Sequence, residues 1–170
     1  FSVMGSSLLK SLYTNEIPKV ALLNIGSEDY KGNDTIKKTF QYLNEKKNDG
    51  FEFKGYIEGN NLMNGDVNVI VTDGFTGNVA LKTAEGTADF ITSELKKSFN
   101  DSLLGKLSAL INIKNLKSFK EKLDPRLYNG AILLGLNSPV IKSHGSIDHI
   151  GFSYSLDVCY KIVKGNLIEK

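Results

Sequence analysis

The sequence predicts an α/β fold with a mainly parallel sheet, helices on both faces and a protruding amphipathic helical segment. Three observations lead there. Val20 to Ile25 (Val-Ala-Leu-Leu-Asn-Ile) is a short, nearly continuous apolar run, as expected of a strand covered on both faces in a parallel sheet. Val69 to Ala80 passes from β-branched residues through Thr72-Asp73 and two glycines into a helical pattern, a strand, tight loop and helix in succession. Strand-like and helix-like stretches alternate along the 170 residues, so the crossovers should be right-handed and residues 1–170 should form one domain.

Taken in order, Ser2 to Tyr13 carries Val3, Met4, Leu8, Leu9 and Leu12 at roughly helical spacing, and Ile17-Pro18 ends it. After the Val20 strand, residues 26–34 form a polar loop punctuated by Gly26 and Gly32, and Thr35 to Lys47 sets Ile36, Phe40 and Leu43 on one helical face. Phe51 to Ile57 alternates apolar and polar side chains, which suits a second strand, and Gly59-Asn60-Asn61 breaks it. The long helix expected after Asn78 carries Val79, Leu81, Ala84, Ala88, Ile91, Leu95 and Phe99. Gly86 in its interior costs about 1 kcal/mol relative to alanine and points to close packing. Ser102 to Leu123 differs in kind: Leu103, Leu104, Leu107, Leu110, Ile111 and Ile113 make an apolar face, followed by Lys114, Lys117, Lys120 and Lys122. Ala131 to Leu136 and Val140 to Ile141 are short apolar runs, Lys142 to Ser146 is a third polar loop, and Ile147 to Val163 reads as the closing helix.

Composition narrows the function classes. At 41% apolar and 24% charged the chain is ordinary for a globular protein. A net charge of +2, with no block of Lys and Arg interleaved with aromatics, argues against a nucleic-acid partner. The single cysteine, Cys159, rules out an internal disulfide framework, suits a reducing cytoplasm, and is expected in the core because Leu156 to Val163 is apolar. The apolar face of 102–123 is too short to span a bilayer; it suits a core or dimer-packing helix with a solvated lysine face, or a membrane-surface segment. Phe1 is not methionine and no leader pattern precedes a cleavage site, so a piece of a longer chain is expected.

In open α/β sheets ligands bind at the carboxyl ends of strands. The loops beginning at Gly26, Gly74 and Ser143 each follow a strand and precede a helix, so one shared cleft is predicted. Its polar inventory is Glu28, Asp29, Lys31, Asn33, Asp73, Thr76, Asn78, Ser143, His144 and Ser146. Gly74 and Gly77 suit a left-handed turn or a close backbone approach, and Asn78 is expected to cap the following helix. The unpaired N–H groups of that helix and its dipole, worth about 0.3–1 kcal/mol, favour an anion, most simply a phosphate. His144 and His149 lie five apart and no His/Cys spacing fits zinc, so no metal is expected. A nucleophile elbow, a Walker pattern and a dinucleotide fingerprint are also absent. A cationic side chain, an amide and backbone donors remain; they suit an anion and a polarised carbonyl.

Three stretches in this order, residues 20–33 (Val-Ala-Leu-Leu-Asn-Ile-Gly-Ser-Glu-Asp-Tyr-Lys-Gly-Asn), 71–85 (Val-Thr-Asp-Gly-Phe-Thr-Gly-Asn-Val-Ala-Leu-Lys-Thr-Ala-Glu) and 139–146 (Pro-Val-Ile-Lys-Ser-His-Gly-Ser), resemble the C-terminal half of the PlsX-type phosphate acyltransferases. The resemblance covers nearly the whole chain; family members carry an N-terminal half that is missing here. It implies an enzyme of phospholipid synthesis that transfers a fatty acyl group from acyl carrier protein to inorganic phosphate. It further implies no cofactor, a homodimer, a cytoplasmic location and reversible membrane contact through a helical protrusion at 102–123, with Leu103, Leu104, Leu107, Leu110 and Ile111 as its contact face. The family's functional lysine and asparagine fall on Lys31 and Asn78.

The expected mechanism has phosphate attack the thioester carbonyl while the phosphopantetheine thiol leaves. Lys31 would hold phosphate; Asn78 and nearby N–H groups would orient the carbonyl or stabilise the oxyanion. Gly26, Glu28, Asn33, Asp73, Gly74, Thr76, Gly77, His144, Gly145 and Ser146 would line the substrate and phosphate site. Two alternatives stand beside this one: a phosphate acetyl- or butyryltransferase using coenzyme A, and a non-catalytic module that binds phosphate and a membrane.

Overall fold

The computed structural model describes residues 1–13, 16–46 and 50–169. At its centre is β1 (Lys19–Leu23), flanked by β2 (Glu52–Ile57) and β3 (Val69–Val71) in a three-stranded parallel sheet of order β2-β1-β3. The apolar run therefore does what a doubly covered strand should: Val20, Ala21, Leu22 and Leu23 are all buried. The α/β class and the parallel sheet match the expectation.

The alternation read in β2 breaks at Gly55. Val20 pairs with Phe53 but Leu22 pairs with Tyr56, so β2 carries one extra residue there. Gly55 adopts φ +81, which a side chain would resist. The bulge brings Phe53 and Tyr56, three residues apart, against one ring, Phe40, edge-on at 5.7 Å and stacked at 4.5 Å. Phe40 belongs to α2 (Asp34–Glu45), whose Leu43 joins Val20, Leu22 and Phe51 in the core. Lys47, the expected last residue of this helix, lies outside the described residues.

Helix α1 (Ser2–Leu12) forms where expected but buries a different face. Its buried residues are Ser2, Ser6 and Ser11, not the apolar set. The hydroxyls of Ser6 and Ser11 bond the carbonyls of Ser2 and Ser7 at 2.8 and 2.9 Å, so the helix satisfies them itself and presents a smooth surface. Gly5 lies against Val69, and Gly165, which ends α6 (His149–Lys164), lies against the Ser11 backbone.

The remaining elements lead away from the sheet. Helix α3 (Gly74–Asn100) runs 27 residues without a buried one. The 102–123 segment is two helices, α4 (Leu103–Ile111) and α5 (Ile113–Lys122), turning at Asn112; α4 packs on α3 and α5 on α4. A 3₁₀ turn (Pro125–Tyr128) and an antiparallel pair, β4 (Ala131–Ile132) with β5 (Ile141–Lys142), precede α6. Two expectations fail. A Cβ at Gly86 would meet open space, so no close packing explains that glycine, and Cys159 is half-buried on α6 rather than in the core.

Leu22 is the test of the core because it sits on the middle strand with a neighbour on either side. Leu22→Ala should lower the unfolding free energy by about 3 kcal/mol, measured by urea titration.

Candidate functional site

The first candidate loop hangs from the end of β1. Asn24 N–H donates to Ile57 O at 2.9 Å, extending the ladder one residue past the strand. Lys31 N–H closes a turn onto Glu28 O at 3.0 Å, and the Asn24 side-chain amide donates to Lys31 O at 3.2 Å. The Lys31 side chain folds back over Gly26, where a Cβ would lie 2.8 Å from Nζ, and Nζ pairs with Glu28 Oε1 at 2.8 Å. Gly26 therefore leaves room for the Lys31 and Glu28 side chains. The Lys31 ammonium bonded to it holds the Glu28 carboxyl below the usual glutamate range. Asn33 caps α2, its Oδ1 accepting from Ile36 N–H at 2.9 Å.

The second loop differs from its expected form in one informative way. The helix begins at Gly74, so its cap is Asp73, and Asn78 stands exposed in the second turn. Asp73 Oδ1 accepts from the N–H groups of Phe75 and Thr76 at 2.9 and 2.8 Å, while Gly77 N–H bonds Asp73 O at 3.0 Å. Two of the N–H donors at the start of this helix are thus taken by the protein's own carboxylate. Bonds from Thr76, by side chain and backbone, hold the Asp73 carboxyl below the usual aspartate range. Gly74 and Gly77 are helical rather than left-handed, yet Gly77 keeps its role in close approach: a Cβ there would lie 2.6 Å from Thr72 Cγ2.

Leu22 pairs with Val71, so the Lys31 and Asp73 loops leave adjacent strands at the same end of the sheet. The third loop does not share that origin, because β5 belongs to the separate antiparallel pair. It is organised by Asn129, a residue outside the predicted set and only 7% exposed. The Asn129 amide nitrogen lies 2.9, 2.8 and 2.7 Å from Ser143 Oγ, Gly151 O and Ser155 Oγ, and its Oδ1 accepts from His144 N–H at 2.9 Å. Ser146 N–H and Ser146 Oγ lie 3.3 and 3.0 Å from His144 Nδ1. Arg126 bridges Asp124 at 2.6 Å and Asp148 at 3.0 Å, tying the 3₁₀ turn to the cap of α6. Gly145 lies in open space.

Residues 1–170 match the family described as "Fatty acid synthesis protein". The chain belongs to that family. Among curated proteins, a phosphate acyltransferase of Pelagibacter ubique is 73% identical over all of this chain and 51% of its own length. Phosphate acyltransferases of Legionella pneumophila (strain Corby) and Neisseria meningitidis serogroup A are each 44% identical, over 99% and 100% of this chain and 49% and 48% of theirs. The chain thus spans about half the length of these relatives.

Sequence reasoning missed Asn24, Asn129 and Tyr56. Asn24 carried a signal, a lone amide within an apolar strand, and Asn129 carried none, since its partners are 14 to 26 residues away. Tyr56 has a buried hydroxyl with no partner among the described residues; burial, then the Asp29 charge, pushes its pKa up. On the apolar segment, Leu103 and Ile111 are 85% and 77% exposed, and Leu104, Leu107 and Leu110 are exposed too. Among the described residues no helix is long and apolar enough to cross a membrane.

The caps make acid stability a direct check. A lowered carboxyl pKa in the folded state contributes stability that is complete above the ordinary aspartate value and lost as pH falls through the lowered one. Asp73→Asn keeps a capping side chain but not the titration. Urea unfolding from about pH 6 to pH 2 should show a shallower acid loss in Asp73→Asn than in the parent.

Proposed function

We propose that this chain forms part of an acyltransferase that moves a fatty acyl group from acyl carrier protein to inorganic phosphate, releasing acyl phosphate. The observation that carries the reading is identity along the whole chain to proteins named phosphate acyltransferase, together with a lysine held at the carboxyl end of the central parallel strand. In this reading Lys31 holds phosphate, exchanging its Glu28 partner for the dianion. A phosphate oxygen attacks the thioester carbonyl carbon, charge gathers on the carbonyl oxygen, and the C–S bond breaks as the proton of the attacking hydrogen phosphate passes to the departing sulfur, releasing the thiol. Asn78, exposed one turn into α3, turns its amide to the carbonyl oxygen. Because Asp73 already occupies the end of α3, side chains rather than the helix dipole supply the electrostatics. Gly26 makes room for the Lys31 side chain and Gly77 for Thr72, with Glu28, Asn33, Gly74 and Thr76 around them, and the third loop adds the His144 imidazole beside Gly145 and Ser146.

The same reading takes the enzyme as a homodimer resting on the membrane surface through α4 and α5. Exposed Leu103, Leu104, Leu107, Leu110 and Ile111 followed by four lysines suit an anionic lipid interface.

Acyl phosphate formation should be assayed with this chain alone and within a polypeptide of the relatives' full length. Turnover is expected in the longer protein with acyl carrier protein thioesters, and Lys31→Ala and Asn78→Ala should each lower kcat/KM by about 10²–10³. Normal turnover in both variants would remove them from the site; turnover with coenzyme A thioesters alone would reassign the donor. In liposome flotation, Leu107→Asp should reduce recovery with anionic vesicles, and unchanged recovery would dismiss the membrane role of α4.

A further inference from the structure

Asn24 is 5% exposed, and its two amide atoms have opposite fates. Nδ2 donates to Lys31 O, while Oδ1 is buried with no hydrogen-bond partner among the described residues. Buried acceptors are rarely left unpaired, because the group loses its water and gains nothing in return. A residue kept only for packing would be better served by leucine, which fills similar space without that penalty. The amide is therefore retained for the donor side, whose hydrogen bond among the described residues goes to the backbone carbonyl of Lys31.

The neighbouring residues show how tightly this contact is specified. Gly32 follows Lys31 at φ +90, and a Cβ there would collide with Asn24 Oδ1. Glycine is thus required twice, for the left-handed backbone and for the space over the amide. Lys31 is held from both sides, by its N–H on Glu28 O and by its carbonyl on Asn24. Asn24 is itself fixed to β2 through Ile57 O, so one buried side chain links the rigid sheet to the residue proposed to hold phosphate.

We infer that Asn24 is a positioning residue for phosphate binding, acting on the substrate through Lys31 and without touching it. The inference rests on the proposed role of Lys31. Removing the amide lets the loop drift while the lysine is still present, so phosphate capture suffers more than the subsequent acyl transfer. A displacement on the ångström scale at a binding group is enough for a large kinetic effect.

A double-mutant cycle in the full-length enzyme tests this. Asn24→Ala should raise the KM for phosphate about tenfold with kcat changed less than threefold, and should add no further increase when Lys31 is already alanine. Gly32→Ala, which disturbs the same contact from the other side, should give the same KM signature and serves if Asn24→Ala does not fold. An unchanged phosphate KM in the folded variants, or an equal increase in both Lys31 backgrounds, overturns the inference. Lys31→Ala measured alone separates the two levels: if it leaves phosphate KM intact, the proposed function fails at Lys31. Amide hydrogen exchange reads the positioning independently of activity. Residues 28–33 should exchange faster in Asn24→Ala while β1 and β2 keep parent protection, and unaltered exchange there overturns the positioning role.

Discussion

The structure depends on β1 being hydrogen-bonded along both edges and buried on both faces. A strand in that position can tolerate neither an unpaired backbone group nor a misfitting side chain, so its four buried residues set the register of both neighbours. Everything nearby adapts to it. β2 takes up its mismatch as a bulge at Gly55, α2 brings Phe40 and Leu43 onto the resulting surface, and α1 approaches β3 through glycine. The strand also fixes where the first polar loop starts, since Asn24 is the last residue whose N–H joins the ladder.

What the sequence reveals divides along the same line. Local patterns reveal β1, α1, α2, α3 and α6 to within a few residues, because apolar periodicity is a property of contiguous chain. The boundary of α3 misled because both Asp73 and Asn78 are good caps; the choice fell to Asp73, which reaches two N–H groups at once. Serines buried on α1 and the hub at Asn129 depend on helices and turns far away in sequence. No periodicity encodes them. The shared rim was half legible for a similar reason: strand pairing puts the Lys31 and Asp73 loops side by side, whereas whether β5 joins that sheet is decided by long-range hydrogen bonding.

Helices α3 to α5 obey a different balance. With no residue of α3, α4 or α5 buried, burial contributes less to them than caps and local pairs do. Asp73 caps α3, Ser102 caps α4 through Gly105 N–H at 2.9 Å, and Lys82 pairs with Glu85 along α3. Such local terms are each small, so helices of this exposure gain from further contacts. That is why the apolar row of α4 carries weight in the proposed function: it is surface the chain itself does not cover.

The two charged loops at the sheet end share one economy. In each, a carboxylate of the protein occupies the place an anion would take, Glu28 on Lys31 and Asp73 on the start of α3. The two are not equally exchangeable. Glu28 is bound by a flexible, half-exposed lysine, and exposed ion pairs of that kind contribute little net stability, so an incoming phosphate displaces it at small cost. Asp73 is held by backbone donors within its own helix turn, and displacing it would uncap α3. Under the proposed function the phosphate site therefore belongs to the Lys31 loop, and the Asp73 loop is the rigid wall from which Asn78 faces the carbonyl.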